Sequence, residues 1–495
     1  KGLLVGVPCA QGTLRGMTAS ARGAIMAVLG EGIAMKQTYT ISEKLQQLFV
    51  IFVPIFVTQA ALAGIQVLDA MMSGRFSARD LAGVAIGGNI WAPVVNGVGG
   101  ILLAVTPIVA QHLGAGRKQE VSATVLQGLY LSLVLCGVLV AAGATGLPLL
   151  LGAMDLEPEV RAIAHRYLIA LSWGLVPALA YNVLRCFFDA LGLTRVTMAI
   201  ALIGLPVNVL FNYLLIFGKA GFPALGGVGA GYASAVTYWI ELAIALFLAA
   251  QVQPFASYAV FRQPLQIQPR AWGEQLRVGI PIGLTIALEI GIFSLVSLLM
   301  SGFGTLVVAA HQSALSFSTL LFMFPLSVAQ ALTIVVGFEV GAGRIRDAIQ
   351  YRRLGLTASI SVAAVIMLSL SLFSKQIAGL YTRDPELLAL VQSFLRYVIF
   401  FQLSDAVGAP IQGTLRGYKD VSVVLAVVLL AHWCVGLPTG YTLAHWTRLG
   451  PYGYWIGLIS GLAVAALGLW LRLRRTEARH LAAFAPQEAS GPSAV

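Results

Sequence analysis

The chain has 495 residues, 58% of them hydrophobic and 10% charged, against about 25% charged in an average soluble domain; no water-soluble fold of this length needs so much apolar surface. Its formal net charge is +11, but the basic residues are scattered over many short polar segments instead of forming a patch, which argues against nucleic acid as a partner. Cys9, Cys136, Cys186 and Cys434 stand alone, without a disulfide framework or metal-ligand spacing.

Residues 1–34 are rich in Gly and Ala and run into Met35-Lys36-Gln37-Thr38. A secretory signal would be followed by an exported domain, whereas a membrane bundle follows here. Residues 1–34 therefore read as a non-native or flexible extension, with Met35 as the natural start. From there on, stretches of roughly 18 to 25 mostly apolar residues recur, each long enough to cross a hydrocarbon core of about 30 Å as a helix. Six lie near 47–72, 84–113, 122–148, 162–188, 196–217 and 227–250. A polar stretch, 251–275, follows with Pro254, Pro264 and Pro269, and reads as a linker. Six more spans lie near 276–301, 305–338, 355–375, 390–414, 421–446 and 453–473, before a basic tail.

The expected organisation is all-α and integral to the membrane, with a six-helix bundle over 35–250, a cytoplasmic linker over 251–275, a second bundle over 276–474 and a cytoplasmic tail over 475–495. With both termini inside, the cytoplasmic loops carry twelve Lys and Arg against seven outside, as the positive-inside rule requires of an even number of spans.

The two sets of six repeat each other. Gly114-Ala115-Gly116-Arg117 ends the second span and Gly341-Ala342-Gly343-Arg344 the eighth, an offset of 341 − 114 = 227. Pro54 and Pro281 share that offset, and Arg166-Tyr167 matches Arg396-Tyr397 at 230. Successive halves of the same orientation make a parallel repeat, with a pathway expected between them. Pro54 and Pro281 each remove a backbone hydrogen bond from the first helix of a half and are candidate hinges for rocking between inward and outward openings.

Ionisable side chains inside spans are costly and are therefore lodged against a cavity or partner. Asp69 late in the first span, Glu289 near the middle of the seventh and Asp405 in the tenth qualify. Such acids take up a proton or bind a small cation, as an ion-coupled carrier requires. Arg185 and Asp189, four residues apart, read as a structural pair. His311, His432 and His445 read as interhelical or interfacial hydrogen-bonding groups.

Several motifs carry a resemblance. Pro54-Ile55-Phe56-Val57-Thr58-Gln59 with Asp69, Thr106-Pro107-Ile108-Val109-Ala110-Gln111 leading to Gly114-Ala115-Gly116-Arg117, Asn208 with Asn212-Tyr213-Leu214-Leu215, Ala310-His311-Gln312, and Gln402-Leu403-Ser404-Asp405 leading to Gln412-Gly413-Thr414-Leu415-Arg416-Gly417 all fall in order. Over about residues 40–475 the chain resembles the multidrug and toxic compound extrusion (MATE) family, in its NorM-like branch.

The resemblance implies two six-helix bundles and antiport of organic cations against Na⁺ or H⁺ by alternating access. Glu289, Asp405 and Asp69 would be the coupling acids, Gln312, Asn208 and Phe293 would contact substrate, and Na⁺ at Glu289 and Asp405 would be the only metal ion. It further implies a monomer in the bacterial inner membrane, surrounded by lipid, with no cofactor beyond the coupling ion and no enzymatic activity. Where some sodium-coupled members place a tyrosine one turn before the tenth-helix acid, this chain has Phe401, which supplies no oxygen. The alternative, a flippase for lipid or lipid-linked sugar, would need basic residues in mid-span to hold phosphate. The expected spans carry acids there and bases near their ends.

Overall fold

A backbone in hydrocarbon must satisfy its own hydrogen bonds, so each long apolar run becomes a helix. The computed structural model describes residues 35–483 apart from 155, 263–265, 380, 381 and 383; the extension expected over residues 1–34 and most of the tail lie outside the described residues. The first half comprises α1 (Ile41–Phe76), α2 (Ala78–Gly114), α3 (Lys118–Ala153), α4 (Pro158–Ser172 and Leu175–Ala190, meeting at 49°), α5 (Thr194–Phe217) and α6 (Gly227–Gln251). The second comprises α7 (Pro269–Met300), α8 (Thr305–Gly341), α9 (Ile345–Gly379), α10 (Pro385–Gly417), α11 (Ser422–Trp446) and α12 (Tyr452–Ala483). Eleven helices are long and apolar enough to cross a membrane, and the bent α4 makes the twelfth. Every expected span coincides with one of them.

The halves share one packing plan. α1 lies on α5 as α7 lies on α11; α2 on α4 as α8 on α10; α4 and α5 on α6 as α10 and α11 on α12. Between the halves, α8 meets α1 and α2, and α7 meets α2. The residues between α6 and α7 are folded onto the first half. Phe255 is buried, its ring 4.5 Å from that of Phe188, and the Gln127 amide donates to the Gln266 carbonyl at 2.7 Å and accepts from the Gln268 N–H at 3.0 Å.

The repeated glycines set how closely the halves approach. A Cβ on Gly114 would collide with the Phe338 carbonyl oxygen, and one on Gly341 with the Gln111 carbonyl oxygen. The two contacts are images of each other, since 338 − 111 again gives 227. Close backbone approach through small residues is how membrane helices gain packing where no hydrophobic force draws them together. α7 presses on α2 in the same way, Gly279 against the Ile101 carbonyl and Gly283 against that of Gly97. The matching positions on α1 are Phe52 and Phe56, which meet Phe324 of α8 at ring distances of 5.0 and 6.4 Å. One cross-half contact is thus backbone against backbone, and its repeat image is held apart by aromatic rings.

Near the Gly114–Gly341 crossing lies a polar seam. Lys44, fully buried on α1, pairs with Asp347 of α9 at 2.8 Å. Thr38 hydrogen-bonds the Tyr351 hydroxyl at 2.8 Å, its carbonyl accepts from Arg344, and Gln111 donates to the Gly417 carbonyl at 2.8 Å. Among the described residues, every hydrogen bond and ion pair linking the halves lies at this end, which we call the base. Away from it, Gln66, Asn89, Asn96 and Gln312 are exposed on α1, α2 and α8. Amides at that depth call for a polar cleft between the halves, not lipid.

Removing one partner of a buried ion pair costs about 3 kcal/mol or more where the other charge is stranded; Asp347 keeps Arg344 at 2.8 Å, so the loss here should be smaller. Lys44→Ala should therefore lower the melting temperature of the purified protein, and the exchange Lys44→Asp with Asp347→Lys should recover part of the loss. An unchanged melting temperature in Lys44→Ala would remove the seam from the account of base closure.

Candidate functional site

Each half holds a buried acid cluster, and the two differ in how well they are satisfied. In the first half, Asn208 and Asn212 lie one turn apart on one face of α5, opposite Asp69 of α1 and Ser234 of α6. The Asn212 amide donates to Asp69 Oδ1 at 2.6 Å and to Asn208 Oδ1 at 2.9 Å. Ser234 donates to Asp69 Oδ2 at 2.9 Å, and Asn208 donates to Ser234 Oγ at 3.3 Å. All four side chains are buried. Asn212 Oδ1 is a buried acceptor without a partner, so the cluster offers spare oxygen to a small cation or proton.

The second half is built differently. Glu289 of α7 accepts from the Gln412 amide at 2.9 Å, and the Gln412 oxygen accepts from Arg416 at 2.7 Å. A guanidinium only donates, so it fixes which end of the Gln412 amide faces Glu289. Asp405 of α10 is buried within electrostatic reach of Glu289 and receives no hydrogen bond among the described residues. Gln402 Oε1, one turn earlier, is buried without a partner. Phe401 is buried between the rings of Phe293 at 5.8 Å and Trp455 at 5.9 Å, an apolar wall beside the pair.

Of the residues expected to contact substrate, Phe293 forms part of this wall and Gln312 is exposed on α8, while Asn208 is fully buried in the Asp69 cluster. α1 and α7 stay helical through Pro54 and Pro281. Thr58 caps the Pro54 carbonyl at 2.8 Å and Thr285 caps that of Pro281 at 2.7 Å, a matched arrangement that favours bending. His311 bridges Ser297 and Trp455 at 3.0 and 3.2 Å, as an interhelical role requires. His432 is bonded to the Val428 carbonyl within its own helix, and His445 to the Tyr454 hydroxyl of α12. Arg185 and Asp189 form no direct ion pair: Arg185 donates to Asn182 and Asp189 accepts from Thr197.

Three groups escaped the sequence reading. Glu241 is buried in α6 against Gly204; it stands alone in Tyr238-Trp239-Ile240-Glu241, and the criterion that found Asp405 finds it too. Glu339 is buried in the last turn of α8, 3.5 Å from Arg344, one residue beyond the end expected for that span. Arg416, counted with the basic loops, is instead buried in the last turn of α10.

The sequence matches the protein-family profile MatE over residues 54–214 and 281–442, once in each half. It is 50% identical over 443 residues to a Halalkalibacterium halodurans protein named "Probable multidrug resistance protein NorM", covering 90% of this chain and 97% of that one. A Geobacillus kaustophilus protein of the same name is 52% identical, also covering 90% and 97%. The fold is similar to that of the eukaryotic MATE transporter AtDTX14, with a TM-score of 0.77, 22% identity and coverage of 90% and 99%. It is likewise similar to a MATE crystallised with MaL6, with a TM-score of 0.80, 20% identity and coverage of 88% and 97%.

Stranding a buried polar group costs about 1–3 kcal/mol. Asn212→Leu should destabilise the protein by that order, and Asp69→Leu with Asn212→Leu should cost less than the sum of the single changes, because the pair fails together. Thermal unfolding of the four proteins tests it; strict additivity would show that the two side chains do not act as a unit.

Proposed function

This chain belongs to the MatE family, and on that premise we propose that it is a secondary active multidrug efflux transporter, exporting small organic cations in exchange for inward-moving H⁺ or Na⁺. It is a transport protein and not an enzyme. The observation that carries the reading is the pair Glu289 and Asp405: two acids in the interior of a membrane bundle, one of them without a hydrogen-bond donor and both beside aromatic rings. Such a site attracts a cation with a flat apolar body. Neutralising the acids with H⁺ or Na⁺ removes that attraction and releases the substrate.

The base, read as the cytoplasmic end by its basic loops, is closed and the cleft opens outward. Rocking of the halves, with bending at Pro54 and Pro281, would open the base and expose the same acids inward. Gln312 and Phe293 line the path in this reading, while Asn208 acts through Asp69. Asp69, with its asparagines and serine, is the corresponding cation site of the first half. Phe401 brings no oxygen and the Gln412 oxygen is occupied by Arg416, which leaves the unpartnered Gln402 Oε1 as the neutral oxygen beside the pair, so H⁺ and Na⁺ are both coupling ions compatible with this reading. We place the protein in the bacterial inner membrane with both termini inside, working as a monomer.

Glu289→Gln and Asp405→Asn keep shape and remove titration, so each should reduce ion-driven efflux to background at matched expression. Proteoliposomes loaded with a fluorescent cation, under separately imposed proton and sodium gradients, give the measurement and identify the ion. Wild-type rates in both variants would overturn the assignment and direct attention to Asp69.

A further inference from the structure

Arg396-Tyr397 repeats Arg166-Tyr167, and the proposed transport cycle leaves both arginines without a role. Arg396 lies 396 − 385 = 11 residues into α10, roughly 16 Å along the helix at 1.5 Å per residue. It stands 405 − 396 = 9 residues before Asp405, about two and a half turns, and so points to the opposite face. The other sides of α10 are taken. Gln412 and Phe401 meet α7, Gly413 packs on Ala329 of α8, Gln392 bonds Ser374 of α9, and Gly408 approaches Ala466 of α12. What remains is an outward groove between α9 and α12, away from the cleft and the other half.

Ser393, Arg396, Tyr397, Phe400 and Tyr452 line a cavity of about 400 Å³ there. Tyr397 and Tyr452 stack with ring centroids 5.5 Å apart and planes 18° from parallel, forming one wall. Phe400 is 59% exposed and continues it towards the membrane centre. Arg396 is exposed and forms no hydrogen bond or ion pair among the described residues. An unpaired guanidinium facing lipid is costly, and the anion available to it at that surface is a headgroup phosphate, which guanidinium groups bind well. Arginine in a helix leans towards the N-terminus, which for α10 is the open end, and its stem can snorkel that way. At the matching positions of the first half Ile163 and Ala170 replace Ser393 and Phe400, so Arg166 has the charge without this lining.

We propose that this groove is a binding site for a membrane phospholipid, its phosphate held by Arg396 and the tyrosine hydroxyls and an acyl chain laid along Phe400. The full chain, purified in mild detergent, is tested by native mass spectrometry with phosphatidylglycerol. The wild type should retain the lipid, Arg396→Gln should retain about fivefold less, as loss of one exposed ionic contact implies, and Arg396→Lys should recover most of it. A second arm needs no variant: on the wild type, a diacylglycerol with the same acyl chains and millimolar inorganic phosphate should each fail to displace the phospholipid. Undiminished retention by Arg396→Gln, displacement by diacylglycerol, or displacement by inorganic phosphate would each overturn the proposal, the last two by showing a purely apolar groove or a free-phosphate site.

Discussion

The crossing of α2 and α8 at Gly114 and Gly341 is the constraint on which the rest of the architecture depends. Each glycine lies where a Cβ would collide with a carbonyl oxygen of the other helix, so the halves meet backbone to backbone at one end. That contact draws together the segments that carry charge. Arg344 follows Gly341 by three residues and reaches Thr38 and Asp347, and Asp347 in turn binds the buried Lys44. A side chain at either glycine would push the halves apart at this point, beside the apolar packing of Leu48 and Ile51 on Ile345 and Tyr351 that flanks the ionic seam. Because the crossing and its polar seam sit at one end, and α1 stands off α8 on aromatic rings beyond them while α7 still touches α2 at Gly279 and Gly283, the separation needed to accommodate a substrate develops at the other end.

Charge is distributed accordingly. At the base, Lys44 and Arg344 face Asp347 and Glu339: Asp347 is bonded by both bases, while the buried Glu339 lies 3.5 Å from Arg344 with neither of its oxygens hydrogen-bonded. In the interior of the second half, Glu289 has a single amide donor and Asp405 has none among the described residues, an arrangement that is costly unless a cation arrives. The Asp69 cluster falls between Asp347 and Asp405, with both carboxylate oxygens bonded and one spare amide oxygen on Asn212. Among the acids assigned to the proposed cycle, the degree to which each is satisfied, more than its depth, sets Asp69 apart from Glu289 and Asp405.

Much of this was legible in the sequence. Apolar runs of membrane-spanning length identify the helices directly, since hydrocarbon leaves the backbone no alternative to internal hydrogen bonding. The 227-residue offset pairs Gly114 with Gly341, and the single acids in apolar runs mark Asp69, Glu289 and Asp405. What the sequence leaves open is direction and partnership. Arg416 reads as a loop base because it falls two residues past the expected end of the tenth span, yet α10 runs on to Gly417 and carries it inside. Asn208 reads as a substrate contact by motif alone, while only the packing of α5 against α1 and α6 turns it onto Ser234 and Asn212. Residues 251–275 have a linker's composition, but Phe255 finds a pocket against Phe188 that no local pattern announces.

The repeat is imperfect where imperfection has consequences. α7 touches α2 through Gly279 and Gly283, whereas α1 stands off α8 on the rings of Phe52, Phe56 and Phe324. Glu289 lies six residues beyond Gly283 on the same segment of α7, both past Pro281, so a change in its charge or bonding acts on the segment pressed most closely against the other half. Asp69 lies on the helix with the softer, aromatic contact, where rings can shift without separating backbones. In the proposed cycle this makes the second half the one whose occupancy is transmitted across the interface, and the first half a site that can fill and empty with less movement. Two equivalent bundles would respond equally to either ion site; exchanging phenylalanine for glycine at one of two related contacts gives the response a preferred origin.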